Sequence, residues 1–413
     1  MPPAHEERPK IREVDFFPIK NRDGTFIALR DPLDFSTQVL AFRPALLPVL
    51  SLMDGRHTLD QIAAQVEKEN KIKVTVEQLR QVVDKLDEVL FLANDRFQKH
   101  CQRVIGDYLE AKVRPAAHAG VSYPSDPEEI HAYFSEHFLA GPGFPKLEAR
   151  HSPPRAMISP HIDLRVGGPG FASAYKEIAE SQPIDVFIIL GTAHFPTRFP
   201  FSATWKNFET PLGVAEIDRD FLERLRKGLP FDLFCDEFAH RNEHSIEFQV
   251  VYLQSTLPVA PHPIKIVPIL CGSFAKTVKA GTEPSEDPMI GAFIEALKRE
   301  IASEKRRVCV IAGVDLAHVG GRFGDVNLKL TPTRRKIFEE TDRTMLEIVL
   351  KGNASRFFDF IAEEEDKRRV CGFPAIYTML KALSLKKGEL LHYDQSYEQA
   401  TNSLVTFCSA KFQ

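Results

Sequence analysis

The sequence predicts an α/β protein with a central, mostly parallel sheet and helices on both faces, preceded by a small winged-helix-like domain. The chain has 413 residues, which is too many for one ordinary hydrophobic core. Residues 1–112 contain short capped helices, whereas residues 116–413 alternate short apolar runs with helical patterns. The apolar runs are continuous, which is typical of parallel strands buried on both faces.

The composition indicates a globular protein that binds neither nucleic acid nor membrane. Hydrophobic residues make up 43% and charged residues 27%, and the formal net charge is −4. A nucleic-acid binder would carry a basic excess, and a bilayer span would need roughly 20 apolar residues in a row. The six cysteines are widely spread without a C-x-x-C pair. We therefore expect reduced thiols and a cytoplasmic location.

In residues 1–112, two helices are predicted from their first residues. Thr58 with Gln61 forms one capping box after an Asp-Gly turn, and Thr75 with Gln78 forms a second. The stretch "FLANDRFQKH" that follows is interpreted as a short hairpin. Two short capped helices favour a small winged-helix unit, with a helical support for the main domain as the alternative. DNA binding is disfavoured because the second helix is rich in acidic residues.

The stretch "LMDGRHTLDQIA" in this unit resembles the PqqD-like domains. Those domains are peptide- or partner-recognition modules attached to radical SAM and peptide-modifying systems. The resemblance implies a peptide ligand for residues 1–112. It also implies a radical SAM protein as a partner of the chain.

The second domain is predicted to begin near residue 116 and to open with a helix. Asp126 is the N-cap of this helix, Pro127 occupies the first helical position and Glu129 the third. Five β-rich apolar runs follow, separated by polar or glycine residues and by helical patterns. The runs are "RAMIS", "DVFIIL", "IKIVPIL", "RVCVIAGV" and "SLVTF". Each is predicted to be a strand of one central sheet.

Polar side chains lie within a few residues of the ends of three of these runs. His161 follows "RAMIS", His194 follows "DVFIIL", and Asp315 and His318 follow "RVCVIAGV". Because ligands of open α/β sheets bind at the carboxyl ends of the strands, we expect these side chains to share one pocket. Imidazole binds borderline metals and titrates near neutral pH. The cluster therefore predicts metal binding or proton transfer, although each histidine alone would be interpreted as a core residue.

A fourth candidate is the stretch "AHRNEHSIEFQVVYL", whose helical periodicity begins near residue 245. Glu243 and Glu247 would lie on one face of the helix, as would His240 and His244. The spacing of the histidines suits zinc, but the order is not the H-E-x-x-H of metalloproteases. The alternative is a helix N-terminus that is acidic because of the helix dipole, which explains the glutamates and not the histidines.

Cys371 precedes Gly372 and Pro374, where another helix is predicted to begin. A cysteine near a helix N-terminus and beside Arg368 and Arg369 is expected to have a lowered pKa and more thiolate character. It is therefore a candidate soft metal ligand or redox thiol. The alternative is a buried cysteine that packs as a small hydrophobic residue.

Together these motifs resemble the Memo family, known in bacteria and archaea as AmmeMemoRadiSam system protein B. The resemblance extends from residue 119 almost to the C-terminus. It rests on "AGVSYPSDPEEI", "ISPHID", "FIILGTAHF", "FETPLGVAEID", "NEHSIEFQ", "KIVPILCG", "GVDLAH" and "VCGFPAI", which occur in the family's order. The fold that it implies is similar to that of class III extradiol dioxygenases, which are non-haem iron proteins.

The resemblance also implies roles for individual residues. His161, His194 and Cys371 match the metal-binding histidine pair and cysteine of the family. Asp315 and His318 match further pocket residues, and His318 occupies the place of the acid/base histidine of the dioxygenases. The sequence departs from the family after His161, where Ile-Asp-Leu replaces the usual Ala-Gly-Tyr. The N-terminal unit is expected to lie outside the ordinary family.

Two hypotheses about function follow. The first is a dioxygenase-like, metal-dependent oxidoreductase that works with a radical SAM system. Fe(II) or copper, with zinc as an alternative, would be held by His161, His194 and Cys371. The catalytic candidates are His318, Asp315, His244 and Glu243. Here His318 moves protons while Asp315 fixes a tautomer.

The second hypothesis is a non-catalytic binding or adaptor protein. Its pocket would capture a ligand, a metal or a peptide, and its N-terminal unit would recruit a partner. The same pocket residues serve both hypotheses, so the sequence does not separate them. A serine or cysteine hydrolase is a third option, but the sequence contains no G-x-S-x-G elbow.

Overall fold

The computed structural model describes residues 8–22, 24–146, 149–257 and 264–413. The chain divides into two compact units, the first ending at Glu110 and the second beginning at Ala111. The sequence predicts this division at residues 112–116. In the described ranges, no helix is both long enough and apolar enough to cross a bilayer.

The first unit combines a small antiparallel sheet with helices. Its strands are β1 (Asp15–Asn21), β2 (Gly24–Arg30) and β3 (Val39–Phe42), in the order β1-β2-β3. Its helices are α1 (Leu47–Ser51), α2 (Leu59–Asn70), α3 (Val76–Glu88) and α4 (Asp95–Glu110), with a 3-10 turn at Pro44–Leu46.

Both predicted capping boxes are present, and they start α2 and α3. In each box the threonine hydroxyl accepts from the glutamine N–H, while the glutamine side chain accepts from the threonine N–H. The predicted hairpin at "FLANDRFQKH" is wrong. There Asn94 caps α4, because its side-chain oxygen accepts from the N–H of Phe97 at 3.0 Å. The winged-helix interpretation of the unit stays a prediction.

The second unit is an α/β structure built around one large, mostly parallel mixed sheet. In the described residues this sheet has eleven strands, in the order β12-β14-β5-β11-β6-β10-β9-β8-β4, with β13 beside β14 and β7 beside β10. Their bounds are β4 (Val113–Arg114), β5 (Ala156–Ser159), β6 (Val186–Thr192), β7 (Phe201–Ala203), β8 (Asn207–Thr210), β9 (Gly213–Ile217), β10 (Lys265–Cys271), β11 (Val308–Gly313), β12 (His318–Gly320), β13 (Gly388–Glu398) and β14 (Ser403–Phe412).

Helices occupy most of the connections between these strands. They are α5 (Pro127–Ala140), α6 (Leu164–Ala179), α7 (Arg219–Arg226), α8 (His244–Thr256), α9 (Ala275–Ala280), α10 (Pro288–Ser303), α11 (Pro332–Leu350), α12 (Ala354–Glu363) and α13 (Phe373–Leu383), with 3-10 turns at Glu237–His240, Pro284–Glu286 and Gly321–Phe323. The predicted start of α5 is confirmed, because the Asp126 side chain accepts from the N–H groups of Glu128 and Glu129.

Four of the five predicted apolar runs form the parallel centre of the sheet. They contain β5, β6, β10 and β11, which pair in parallel, whereas the fifth run lies in β14 and pairs antiparallel with β5. In register, Gly313 of β11 lies opposite Ser159 of β5 and Gly191 of β6. The carboxyl ends of these strands therefore lie at one level, and the residues that follow them meet at one edge.

Two glycines at this edge allow helix α8 to approach the sheet closely. A Cβ atom at Gly191 would lie 2.5 Å from Ser245 Oγ, and one at Gly313 would lie 2.7 Å from Ser245 O. Neither glycine position therefore has room for a residue with a side chain. Because Ser245 lies in the first turn of α8, the helix N-terminus is held directly above the ends of β6 and β11.

Candidate metal centre

Three histidines converge where the parallel strands end. His161 lies two residues after β5, His194 two residues after β6, and His244 is the first residue of α8. Each offers a ring nitrogen, and these atoms all lie within 4.8 Å of one another. His161 is buried, His244 is half-buried and His194 is exposed, so one side of the group faces outward. This arrangement suits an ion that protein ligands bind on its buried side and that remains accessible to solvent or substrate on its outward side.

His161 is fixed by contacts that direct its Nε2 atom towards the group. Its Nδ1–H donates to the carbonyl oxygen of Gly313 at 3.0 Å. Its backbone N–H and that of Ile162 donate to Oδ1 of Asp315 at 3.0 and 3.1 Å. Burial lowers the pKa of His161 to about 3. The ring is therefore neutral near pH 7 and presents a lone pair at Nε2, as a metal ligand must.

His194 is oriented by the buried carboxylate of Glu243. Its Nδ1 lies 3.0 and 3.1 Å from the two carboxylate oxygens, and its backbone N–H donates to Oε2 at 2.9 Å. Burial disfavours the charged form of both groups, but their attraction outweighs it. The pKa of His194 is raised, and that of Glu243 is held well below its usual range. The Nδ1–H of His194 is thus committed to Glu243, which leaves Nε2 for a ligand role.

His244 completes the group from the start of α8. Its ring stacks on that of His194 with 4.7 Å between centroids, and its Nδ1 lies 3.4 Å from Oε1 of Glu243. Burial lowers its pKa well below the usual value, so it is also neutral. From the sequence, His244 is a catalytic candidate, and its spacing pairs it with His240. The structure separates the two, since Nε2 of buried His240 donates to the backbone oxygen of Ser202.

Cys371 lies beside the histidine group. Its Sγ is 3.6 Å from Nε2 of His161 and 3.4 Å from the backbone oxygen of Asp315. A nitrogen and a sulfur bound to one ion in tetrahedral geometry, at ~2.0–2.1 and ~2.3 Å, lie about 3.6 Å apart. The Cys371–His161 separation therefore fits a shared ion. Cys371 is not part of the described group whose ligand atoms all lie within 4.8 Å of one another.

The expected lowering of the Cys371 pKa is wrong. Burial, with a further contribution from the nearby charge of Asp315, raises the pKa of the thiol well above its usual value. The two arginines that motivated the expectation are paired elsewhere. Arg368 binds the carboxylates of Asp342 and Glu364, and Arg369 binds the carboxylate of Asp325.

Asp315 and His318 form another wall of the pocket. Oδ2 of Asp315 lies 3.6 Å from Nε2 of His161, and burial raises the pKa of this carboxyl to about 6. His318 opens strand β12 rather than continuing a helical turn from Asp315. Its Nδ1–H donates to the backbone oxygen of Leu316 at 3.0 Å, and burial lowers its pKa. The Nδ1–H is thus committed to Leu316, and a hydrogen bond to the backbone of Arg369 also opposes the lowering of the pKa.

Comparison with known proteins assigns residues 114–411 to a family described as Memo-like protein. A MEMO1 family protein of Aquifex aeolicus is 29% identical over 408 residues, covering 98% of this chain and all of the relative. A MEMO1 family protein of Thermus thermophilus is 26% identical over 356 residues, covering 86% of this chain and 98% of the relative.

A third MEMO1 family protein, from Methanocaldococcus jannaschii, is 30% identical over 296 residues, covering 69% of this chain and 93% of the relative. The family model begins at residue 114, so the N-terminal unit lies outside it, as expected from the sequence. The A. aeolicus relative nevertheless resembles the chain in that unit too. Its alignment covers almost the whole chain, including that unit.

Proposed function

The chain belongs to the Memo-like protein family, and from that premise and the site geometry we propose that it is a metal-dependent oxidoreductase with Fe(II) or copper in its pocket. The observation that carries the proposal is the orientation of His161 and His194. Each donates its Nδ1–H to an acceptor, Gly313 O or Glu243, which leaves Nε2 to bind an ion, and the two rings each offer a nitrogen within 4.8 Å of the other. This is the arrangement by which proteins fix metal-binding histidines.

The donor set supports a transition metal rather than a hard cation. Two neutral imidazoles with a thiolate or a third imidazole favour iron, copper or zinc over magnesium and calcium. We take Cys371 as the third ligand, because its separation from Nε2 of His161 matches a shared ion. His244 would then line the pocket beside the ion.

Bound iron or copper would supply the redox chemistry, as iron does in the class III extradiol dioxygenases, to which we propose that the fold is similar. The protein would supply proton transfer and orientation. His318 would accept or donate a proton at Nε2, since its Nδ1–H is committed to Leu316 O. Asp315 would hold His161 in place through the two backbone N–H groups bound to its Oδ1. Glu243 would fix the tautomer of His194.

We also propose a role for the first unit in recognition. Its PqqD-like stretch supports a peptide ligand or a radical SAM partner protein. The six free cysteines, with no disulfide among the described residues, support a reducing compartment such as the cytoplasm.

The proposed function is tested on protein purified without oxygen and loaded with Fe(II) or copper. Wild-type protein should retain about one ion per chain, and both His161→Ala and His194→Ala should lose it while remaining folded. With ascorbate as reductant, the loaded wild type should consume oxygen faster than either variant. Metal retention without oxygen consumption would instead support the binding-protein hypothesis. Absence of metal from the wild type would refute a metal centre.

A further inference from the structure

A buried charge network lies behind the histidine group and is centred on Arg114, at the end of β4. The guanidinium has no solvent exposure. Its Nε donates to His240 O at 2.8 Å and its Nη2 to Glu243 O at 2.9 Å. Its Nη1 donates to Pro115 O at 3.1 Å and to the carboxylate of Glu247. The rigid fork of the arginine thus binds both ends of the segment 240–243, immediately before α8.

Glu247, one turn into α8, holds the other half of the network. Its buried carboxylate accepts from the N–H groups of Ala117 and His118 at 3.0 and 2.9 Å, and from the hydroxyl of Tyr123 at 2.5 Å. Burial opposes the ionised form, but the charge of Arg114 and these donors lower the pKa of Glu247. The segment from residue 114 to residue 123 is therefore bound to the first turn of α8.

Stability alone is a poor explanation for this ion pair. Removing two charges from water costs several kcal/mol each, and apolar replacements of similar volume are often neutral or stabilising. A buried pair does, however, define one geometry, because every donor and acceptor must be satisfied. Here that geometry includes the backbone of Glu243, whose side chain orients His194.

The orientation of the His194 side chain depends strongly on the position of Glu243. A fully buried side chain would be held by packing on all sides and would depend less on one such contact. The side chain of His194 is 45% exposed, so packing holds the ring on one side only. Its Nδ1 is bound to Glu243, and the same carboxylate lies 3.4 Å from Nδ1 of His244. A displaced Glu243 would therefore move both imidazoles from their places in the histidine group.

We infer that Arg114 and Glu247 are positioning residues for the histidine group. They hold the backbone of Glu243, and Glu243 sets the direction of His194 Nε2. The inference rests on the proposed function for its metal readout. The placement of the imidazoles by Arg114 and Glu247 does not depend on a bound metal and is tested separately.

The test is the variant Arg114→Lys in the full chain. Lysine keeps a positive charge beside Glu247 but lacks the planar fork, so it cannot bind His240 O and Glu243 O together. We expect Co(II) to bind about 10–100-fold more weakly than to the wild type, as is usual for residues that support metal ligands. The imidazole nitrogen signals of His194 should also shift in the metal-free protein, as measured by NMR.

The matched control is Arg12→Lys, which makes the same change in a buried Arg12–Asp31 pair of the first unit. This variant should bind Co(II) as the wild type does and leave the imidazole signals unchanged. If Arg114→Lys does not fold, Tyr123→Phe removes one donor to Glu247 and should shift both readouts in the same direction. Unchanged affinity and unchanged signals in the folded variant would overturn the inference. If the wild type binds no Co(II), the proposed function fails and the imidazole signals alone decide the positioning role.

Discussion

At the scale of single residues, the centre places one side-chain type in two contrasting electrostatic environments. His161 is neutral because it is buried, and its pKa falls to about 3. Partial burial opposes the charged form of His194, yet the carboxylate of Glu243 raises its pKa. Among the three imidazoles, an incoming cation therefore competes with a proton mainly at His194. The carboxylate that orients this ring also strengthens it as a donor, which is the usual effect of a carboxylate–histidine pair.

The identity of the third ligand is open to a direct test. We predict that Co(II)-substituted protein shows thiolate-to-cobalt charge-transfer absorption. The variant Cys371→Ser should lose this absorption, because oxygen replaces the soft sulfur donor. The variant His244→Ala should keep it. The opposite pattern, with the visible spectrum changed by His244→Ala and not by Cys371→Ser, would indicate a three-histidine site.

A second residue-scale prediction concerns His318. The variant His318→Ala should keep its metal content and melting temperature close to those of the wild type, since His318 is outside the histidine group. Turnover should fall by about 10²–10⁴-fold, the usual loss on removal of a general acid or base. Metal analysis, thermal unfolding and oxygen uptake measure the three quantities. If the variant is partly unfolded and its activity falls only in proportion to the folded fraction, His318 is a structural residue.

Residues that directly follow a strand could be predicted from the sequence, and contacts between distant segments could not. His161 and His194 were identifiable because each lies shortly after an apolar run, and parallel strands bring such residues to one edge. Arg114 carries no such signal. It lies 133 residues from Glu247, and its sequence neighbours do not indicate that it is buried.

At the scale of elements, prediction succeeded where apolar runs were continuous. All five predicted runs of the second unit contain strands of its sheet. The sheet of the first unit was missed because Pro18 interrupts β1 and Asp15–Asn21 is a mixed polar and apolar segment. Proline is tolerated there because β1 is an edge strand of this sheet, paired only with β2 among the described residues.

Helices α5, α6 and α8 meet at His137, and this contact predicts an effect of pH. Nδ1 of His137 is hydrogen-bonded to the hydroxyl of Tyr252 on α8 at 2.5 Å, and a Cβ at Gly168 on α6 would lie 2.5 Å from the ring. Burial lowers the pKa of His137 to about 4. Between pH 6.5 and 4 the unfolded chain therefore binds more protons, so the free energy of unfolding falls as the pH falls through this range.

From pH 7 to pH 5 this group should remove about 2 kcal/mol from the free energy of unfolding. We expect His137→Gln to show a correspondingly smaller difference between urea unfolding curves at the two pH values. His131→Gln, an exposed position on the same helix, is the matched control and should behave like the wild type. Equal pH dependence in all three proteins would contradict the assignment to His137.

At the scale of the whole molecule, the two units have separate hydrophobic cores. The core of the first includes Ile62, Val66 and Leu79, and that of the second surrounds the large sheet. All three histidines of the group belong to the second unit. Any ion that they bind is therefore a ligand of one unit only, and its binding energy adds to the stability of that unit alone.

We accordingly predict two transitions in scanning calorimetry, of which a divalent cation raises only one. At a free Zn(II) concentration of about 100 times the Kd, the second unit should gain about 2.7 kcal/mol. The variant Leu79→Ala identifies the transition of the first unit. The cavity that it leaves in the core of this unit should lower its free energy of unfolding by about 2–5 kcal/mol. In His194→Ala, Zn(II) should move neither transition. A single transition would show that the units unfold together, and an equal shift of two transitions by Zn(II) would show that the metal stabilises both units.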